Sequence, residues 1–230
     1  MKKVIVLFSL LLVSSNAPAQ FSVNIVGYYN LRIYPGLNLI ANQFLQTNSS
    51  IDYLLSGAAP VGSTFTKWDS AAGQFLPLST FDGANWSINY TLTLGEGGVL
   101  NSPSNWTNTF VGEVGHYAPI AGTNIWQPNY PQGVHLVSDP LPRGGTIEIM
   151  FENVTGRAPE DGDSVQLLDP ASQSYTVATF HAGLGWDNNP TLNVGQAAWF
   201  NLGVSLVPEP GTLSLLALGS AWLVLARRRR

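Results

Sequence analysis

Slid along itself by 100 residues, this chain aligns Gly62–Asn101 with Gly162–Asn201 without a gap. Ten of those 40 positions are identical: Gly62, Asp69, Ala71, Gly83, Trp86, Asn89, Thr91, Leu92, Gly95 and Asn101. Chance would give about two or three in a chain of ordinary composition. Conservative pairs lie between them: Phe65 with Val165, Trp68 with Leu168, Phe75 with Tyr175, Leu94 with Val194. Shorter offsets extend the match upstream, Gly36–Asn42 on Gly133–Asp139 and Val26–Tyr29 on Val114–Tyr117. The second copy then carries a nine-residue insertion between Tyr117 and Gly133. A unit written twice must be a small fold with its own apolar pattern. The expected units are residues 20–108 and 109–205, each about 90–100 residues long.

Each unit reads as β. Short apolar alternations stand between turn residues: Val23–Ile33 runs to Tyr34-Pro35-Gly36, Leu37–Ala41 returns, and Thr64–Trp68 ends at Asp69–Gly73. Gln74–Leu78, Trp86–Leu94 and Gly98–Leu100 follow, with an Asp82-Gly83 turn among them. The second unit adds Thr146–Phe151, which reads as a strand or as the start of a short helix, as does Ser50–Leu55. No long stretch holds a 3.6-residue period. The expected fold class is all-β, with two tandem sandwich-like repeats forming two domains or one pseudo-symmetric body.

Charge and cysteine content narrow the function classes. Only 10% of residues are charged and cysteine is absent, which excludes disulfide scaffolds, Cys-based metal sites and thiol chemistry. Residues 20–207 hold four basic against thirteen acidic residues, a net of −9. Such a body repels phosphate backbones, so nucleic acid is not an expected partner.

The two ends read as addresses. Lys2 and Lys3, the apolar run Val4–Val13 and the small residues Ala17 and Ala19 form a secretory signal peptide over residues 1–19, with cleavage before Gln20. A buried N-terminal strand or helix is the competing reading. At the other end stand Val207, Pro208, Glu209, Pro210 and Gly211, then the apolar block 212–226, then Arg227, Arg228, Arg229 and Arg230. As a helix that block would measure roughly 22 Å, short of the roughly 30 Å hydrocarbon core, so it is a marginal span. The arginines would stay cytoplasmic and leave the body outside. Pro208 and Pro210 keep the segment before the span extended, where a protease can reach it.

This tail resembles the PEP-CTERM sorting signal of Gram-negative bacteria. The matching residues are Pro208, Glu209 and Pro210, the apolar helix and the Arg run, about 24 residues in all. The resemblance implies a partner, exosortase, a membrane-embedded cysteine transpeptidase that cuts near the motif and passes the protein to the cell surface or the extracellular polysaccharide matrix. A simple C-terminal anchor is the plainer alternative. A Gram-positive sortase motif is absent, and a glycolipid-anchor signal would end apolar rather than in four charges.

Chemistry inside the body is sparse. Trp126 and Tyr130 in the inserted loop, with Trp106, are candidate contacts for a glycan such as exopolysaccharide, or else loop residues clamping their own unit. Trp86, Trp186, Trp68 and Trp199 read as packing residues. Glu148 and Glu152 offer a carboxylate pair of the kind a glycosidase needs, or a solvated strand face. Glu160, Asp161 and Asp163 form an acidic turn that reads as solvated or as a weak Ca²⁺ site. His116, His135 and His181 show no metal-ligand spacing, and His135, paired with Asn38, is expected on an exposed strand position. No nucleophile elbow or phosphate loop occurs, and Gly95–Gly98 fits a turn or strand bulge better. The expectation is a non-enzymatic exported protein with no cofactor and no metal. The alternatives are a carbohydrate-binding module and a secreted glycosidase.

Overall fold

The structure, a computed structural model, describes residues 25–55, 57, 59–115 and 130–203. The signal-peptide residues Ala17, Ala19 and Gln20, the loop residue Trp126, His116, and the tail from Val207 to Arg230 lie outside the described residues. The described body is mostly β-sheet with two short helices.

The first half contains β1 (Val26–Ile33), β2 (Gly36–Ala41), α1 (Ile51–Leu55), β3 (Thr64–Asp69), β4 (Gln74–Phe75), β5 (Ser79–Thr80), β6 (Gly97–Ser102) and β7 (Trp106–Glu113). The second contains β8 (Gly133–Val137), β9 (Gly145–Thr146), α2 (Ile147–Thr155), β10 (Ser164–Asp169), β11 (Ser174–His181), β12 (Gly185–Trp186), β13 (Thr191–Leu192) and β14 (Ala198–Leu202). One antiparallel sheet runs β2-β6-β3-β4 and the other β8-β14-β10-β11-β12. In both, the sheet's last strand in the chain, β6 in the first and β14 in the second, slips between two earlier ones, β2 and β3 or β8 and β10. β1 and β7 form a separate antiparallel ribbon, Val26 opposite Glu113 through Ile33 opposite Trp106.

The period-2 alternation of side chains divides each sheet into two faces. On one face of the first sheet Ile40, Phe65 and Leu100 pack under Ile51, Leu54 and Leu55 of α1, with Ile33 and Phe110 closing in from the ribbon. On the matching face of the second, Val137, Val165 and Phe200 pack under Ile147, Met150, Phe151 and Val154 of α2. The opposite faces share a third cluster of Leu39, Ala41, Leu136, Leu168 and Ala197. Main-chain bonds cross between the halves in reciprocal fashion. Ala41 N–H donates to Gly195 O (2.9 Å) and Ser138 N–H to Gly95 O (2.9 Å).

Local chemistry repeats with the topology. Asp69 and Asp169 each accept the N–H two residues on, from Ala71 and Ala171. Asn89 Oδ1 accepts the Asp52 N–H at the start of α1, and Asn189 Oδ1 accepts the Glu148 N–H at the start of α2. Gly95 and Gly195 share a φ of 76° in a turn entering β6 and β14, so the glycine-rich run begins in a turn, while Gly97 and Gly98 already belong to β6. Gly195 is doubly constrained, because a Cβ there would lie 2.5 Å from the Tyr29 ring.

Two readings left open resolve as helix, and two expectations are corrected. Of the run Thr146–Phe151, only Thr146 is strand; Ile147–Thr155 is α2. An apolar run this short fits either period, and here the helical one places Ile147, Met150, Phe151 and Val154 on the sheet below. Similarly, Ile51–Leu55 is helical. His135 and Asn38 are buried rather than exposed. Each turns back on the bend before its strand: Asn38 Nδ2 donates to Tyr34 O (2.8 Å), and His135 Nε2 meets Pro131 O at 2.7 Å. Trp86–Leu94 is not a strand; Trp86 and Leu92 are buried, but the backbone makes only isolated bridges at Trp86 and Thr91.

Candidate functional site

The described body ends on a clamp. Gly203 N–H donates to Asp163 Oδ1 (2.9 Å), one residue beyond β14. Asp163 is fully buried and takes a two-point grip from Arg157: Nη1 to Oδ2 at 2.8 Å and Nη2 to Oδ1 at 2.9 Å. The Glu160 N–H adds a bond to Oδ2 (2.7 Å). This hydrogen bonding raises the Arg157 pKa, so the guanidinium stays charged. The acidic turn is therefore not uniformly solvated. Its central carboxylate is consumed by an arginine and two main-chain donors, while Glu160 and Asp161 stay at the surface. Among the described residues no cluster of acids and histidines is arranged to hold a metal ion.

The other acids are also placed by the fold. Glu148 and Glu152 sit one helical turn apart on the exposed side of α2, not on a strand. Glu148 Oε2 accepts from Asn189 Nδ2 (3.1 Å). Asp139 is buried beside Arg143, its Oδ2 2.5 Å from Nε, and its Oδ1 accepts the Leu141 N–H. Burial raises its pKa against the pull of those donors. His181 stands 3.9 Å from Asp187 at the surface.

Of the candidate glycan contacts, the two described residues, Trp106 and Tyr130, pack against different core clusters. Trp106 is half-buried against the first core and donates its Nε1–H to Ser102 Oγ (3.0 Å). Tyr130 packs beside the second core with its ring centroid 5.0 Å from that of His135. Burial, helped by the charge of Glu96, pushes its phenol up to about 12.

A different concavity opens where the inner faces of the two sheets diverge. It encloses about 370 Å³ and is lined by Leu37, Thr64, Thr66, Phe75, Leu78, Val99, Asn101, Tyr175 and Trp199. Its floor is the first sheet, with Leu37, Asn101 and Thr64 side by side across β2, β6 and β3. The second half supplies Trp199 and Tyr175. Trp199 meets Trp68 (5.4 Å, 88°) and Phe75 (5.8 Å, 84°) edge to face. Trp68 donates its own Nε1–H to Val134 O (2.8 Å) across the halves. Trp68 and Trp199 are thus half-buried between the halves rather than in either core. Sequence reasoning passed over this groove, although the 100-residue offset pairs its Phe75 and Tyr175.

Fold and tail together define a class: a β-rich body carried on a C-terminal sorting signal. Residues 206–230 match the family description PEP-CTERM protein-sorting motif. The match begins three residues beyond the clamped Gly203. That motif marks the chain for export and surface sorting, and it is the type of signal that exosortase processes. No curated protein and no solved structure matches the chain. Among the described residues no helix is long and apolar enough to cross a membrane.

Proposed function

We propose that this is a non-enzymatic cargo protein. A signal peptide over residues 1–19 exports it, and block 212–226 holds it briefly in the inner membrane. Exosortase then processes it near Pro208-Glu209-Pro210 and releases it to the cell surface or polysaccharide matrix. The carrying observation is the sorting-motif match at residues 206–230. The body is read as a duplicated β unit, supported by the shared strand order of the two sheets. At most about 3.3–3.6 Å per residue, the five steps from Gly203 to Pro208 reach roughly 17 Å, which keeps the body close to the membrane during cutting.

The non-enzymatic reading is supported by what the candidate acids are doing. Asp163 is bound to Arg157, and Glu148 braces Asn189 on an exposed helix. Mass spectrometry of the mature C-terminus in a host with exosortase tests the sorting reading. The expected product lacks the apolar block and the arginines, and Glu209→Ala retains full-length protein in the inner membrane. A wild-type chain that keeps Arg230 and stays in that membrane overturns it.

A further inference from the structure

From the groove between the two sheets we infer a further function: binding a neutral saccharide chain, on Phe75, Tyr175 and Trp199 as apolar platforms and Asn101 and Thr64 as hydrogen-bonding groups. The argument begins with shape. The centre of the inter-sheet space is filled by Leu39, Ala41, Leu136, Leu168 and Ala197, so the concavity is a mouth beside a packed cluster. Its size falls within the range of small-molecule sites, about 300–1,000 Å³.

The lining selects the chemistry. Phe75 and Tyr175 remain 50% and 46% exposed although they are large rings. Trp199 is held by Trp68 and Phe75 at nearly right angles, so its ring is oriented before any ligand arrives. Among the described residues, the Asn101 amide and the Thr64 hydroxyl make no hydrogen bond. Thr66 Oγ1 spends its proton on Leu76 O (2.7 Å) but keeps acceptor capacity.

Other occupants fit less well. Among the described residues no charged side chain lines the groove, so an ionic ligand would lose water without gaining a counter-charge there. A hydrocarbon chain would bury Asn101 and Thr64 unpaired. An extended peptide needs a free strand edge, whereas the floor here is the side-chain face of β2, β6 and β3, whose ladder bonds join them to each other. A neutral sugar has apolar C–H faces for the rings and hydroxyls for the amide and threonines.

The full-length chain in mild detergent is titrated by calorimetry with three neutral hexasaccharides: β-1,4-linked glucose, β-1,3-linked glucose and β-1,4-linked mannose. A hexagalacturonate serves as the charged comparison. At least one neutral hexamer is expected to bind saturably at one site, and Tyr175→Ala should weaken it about tenfold, the loss of one stacked ring. Asn101→Ala should weaken it as well. Tyr175 is half-exposed, so its removal leaves the fold intact, which circular dichroism checks. The inference is overturned if no neutral hexamer binds, if Tyr175→Ala and Phe75→Ala bind like wild type, or if hexagalacturonate binds equally well. It is also overturned if sedimentation shows the groove closing a dimer that Tyr175→Ala dissolves. None of these outcomes touches the C-terminal mass test, so the two readings stand or fall separately.

Discussion

Gln43 is the polar key between the halves, and replacing it by leucine tests whether the two sheets stand as one body. Its side chain is fully buried. Oε1 accepts the Gly195 N–H (2.6 Å), and Nε2 donates to Asp139 O (2.9 Å) and Ser138 Oγ (3.2 Å). Gln43→Leu keeps the volume nearly constant, so the cavity contribution is small. It removes three hydrogen bonds and leaves the Gly195 N–H and Asp139 carbonyl buried without these partners. Each bond contributes about 1 kcal/mol net, and each stranded main-chain group costs about 1–3 kcal/mol. These overlapping costs give a loss of about 4 kcal/mol, which for a body of this size lowers Tm by about 10 °C. Urea unfolding of the full-length chain in mild detergent, followed by tryptophan fluorescence and far-ultraviolet circular dichroism, measures it. Wild type should unfold in one transition, while the variant should lose stability and separate its two probes. A loss below about 1 kcal/mol with a single unchanged transition refutes the reasoning, because one buried unpaired amide already costs that much.

Asp163→Ala should cost about 2–3 kcal/mol, below the full penalty for stranding a buried charge because the Arg157 left behind still reaches solvent, and should free the Gly203 N–H; limited proteolysis near residue 203 reads the second effect. Asp82 and Asp169 give a pH prediction. Local donors, the Asn85 and Ala84 N–H groups for Asp82 and the Ser172 hydroxyl and Ala171 N–H for Asp169, hold both carboxyls below the ordinary range. Their stabilisation is present above the unfolded carboxylate value of about 4 and is lost as pH falls through their lower folded values. Replacing both by asparagine should therefore flatten the acid limb of a Tm-against-pH curve below about pH 4.

Some of this was legible in short stretches of chain. Turn chemistry at Asp69, Asp169, Gly95 and Gly195 follows from side chains that bond their own neighbours and from a φ that only glycine adopts freely. The 100-residue offset pairs Phe65 with Val165 and Leu92 with Leu192, and all four are wholly buried. The groove was not legible: Trp199 and Phe75 are 124 positions apart in the chain, and only the packing of one sheet on the other makes them neighbours.

By itself the sequence determined the sorting signal, because a Pro-Glu-Pro, a run of apolar residues and a cluster of arginines act through local stiffness, length and charge. Tertiary structure alone decided that residues 147–155 coil into a helix, that Asp163 spends its charge on Arg157, and that Asn38 and His135 face inward. Each of those outcomes depends on what lies across the chain from the residue, and burial converts a weak local preference into a definite state.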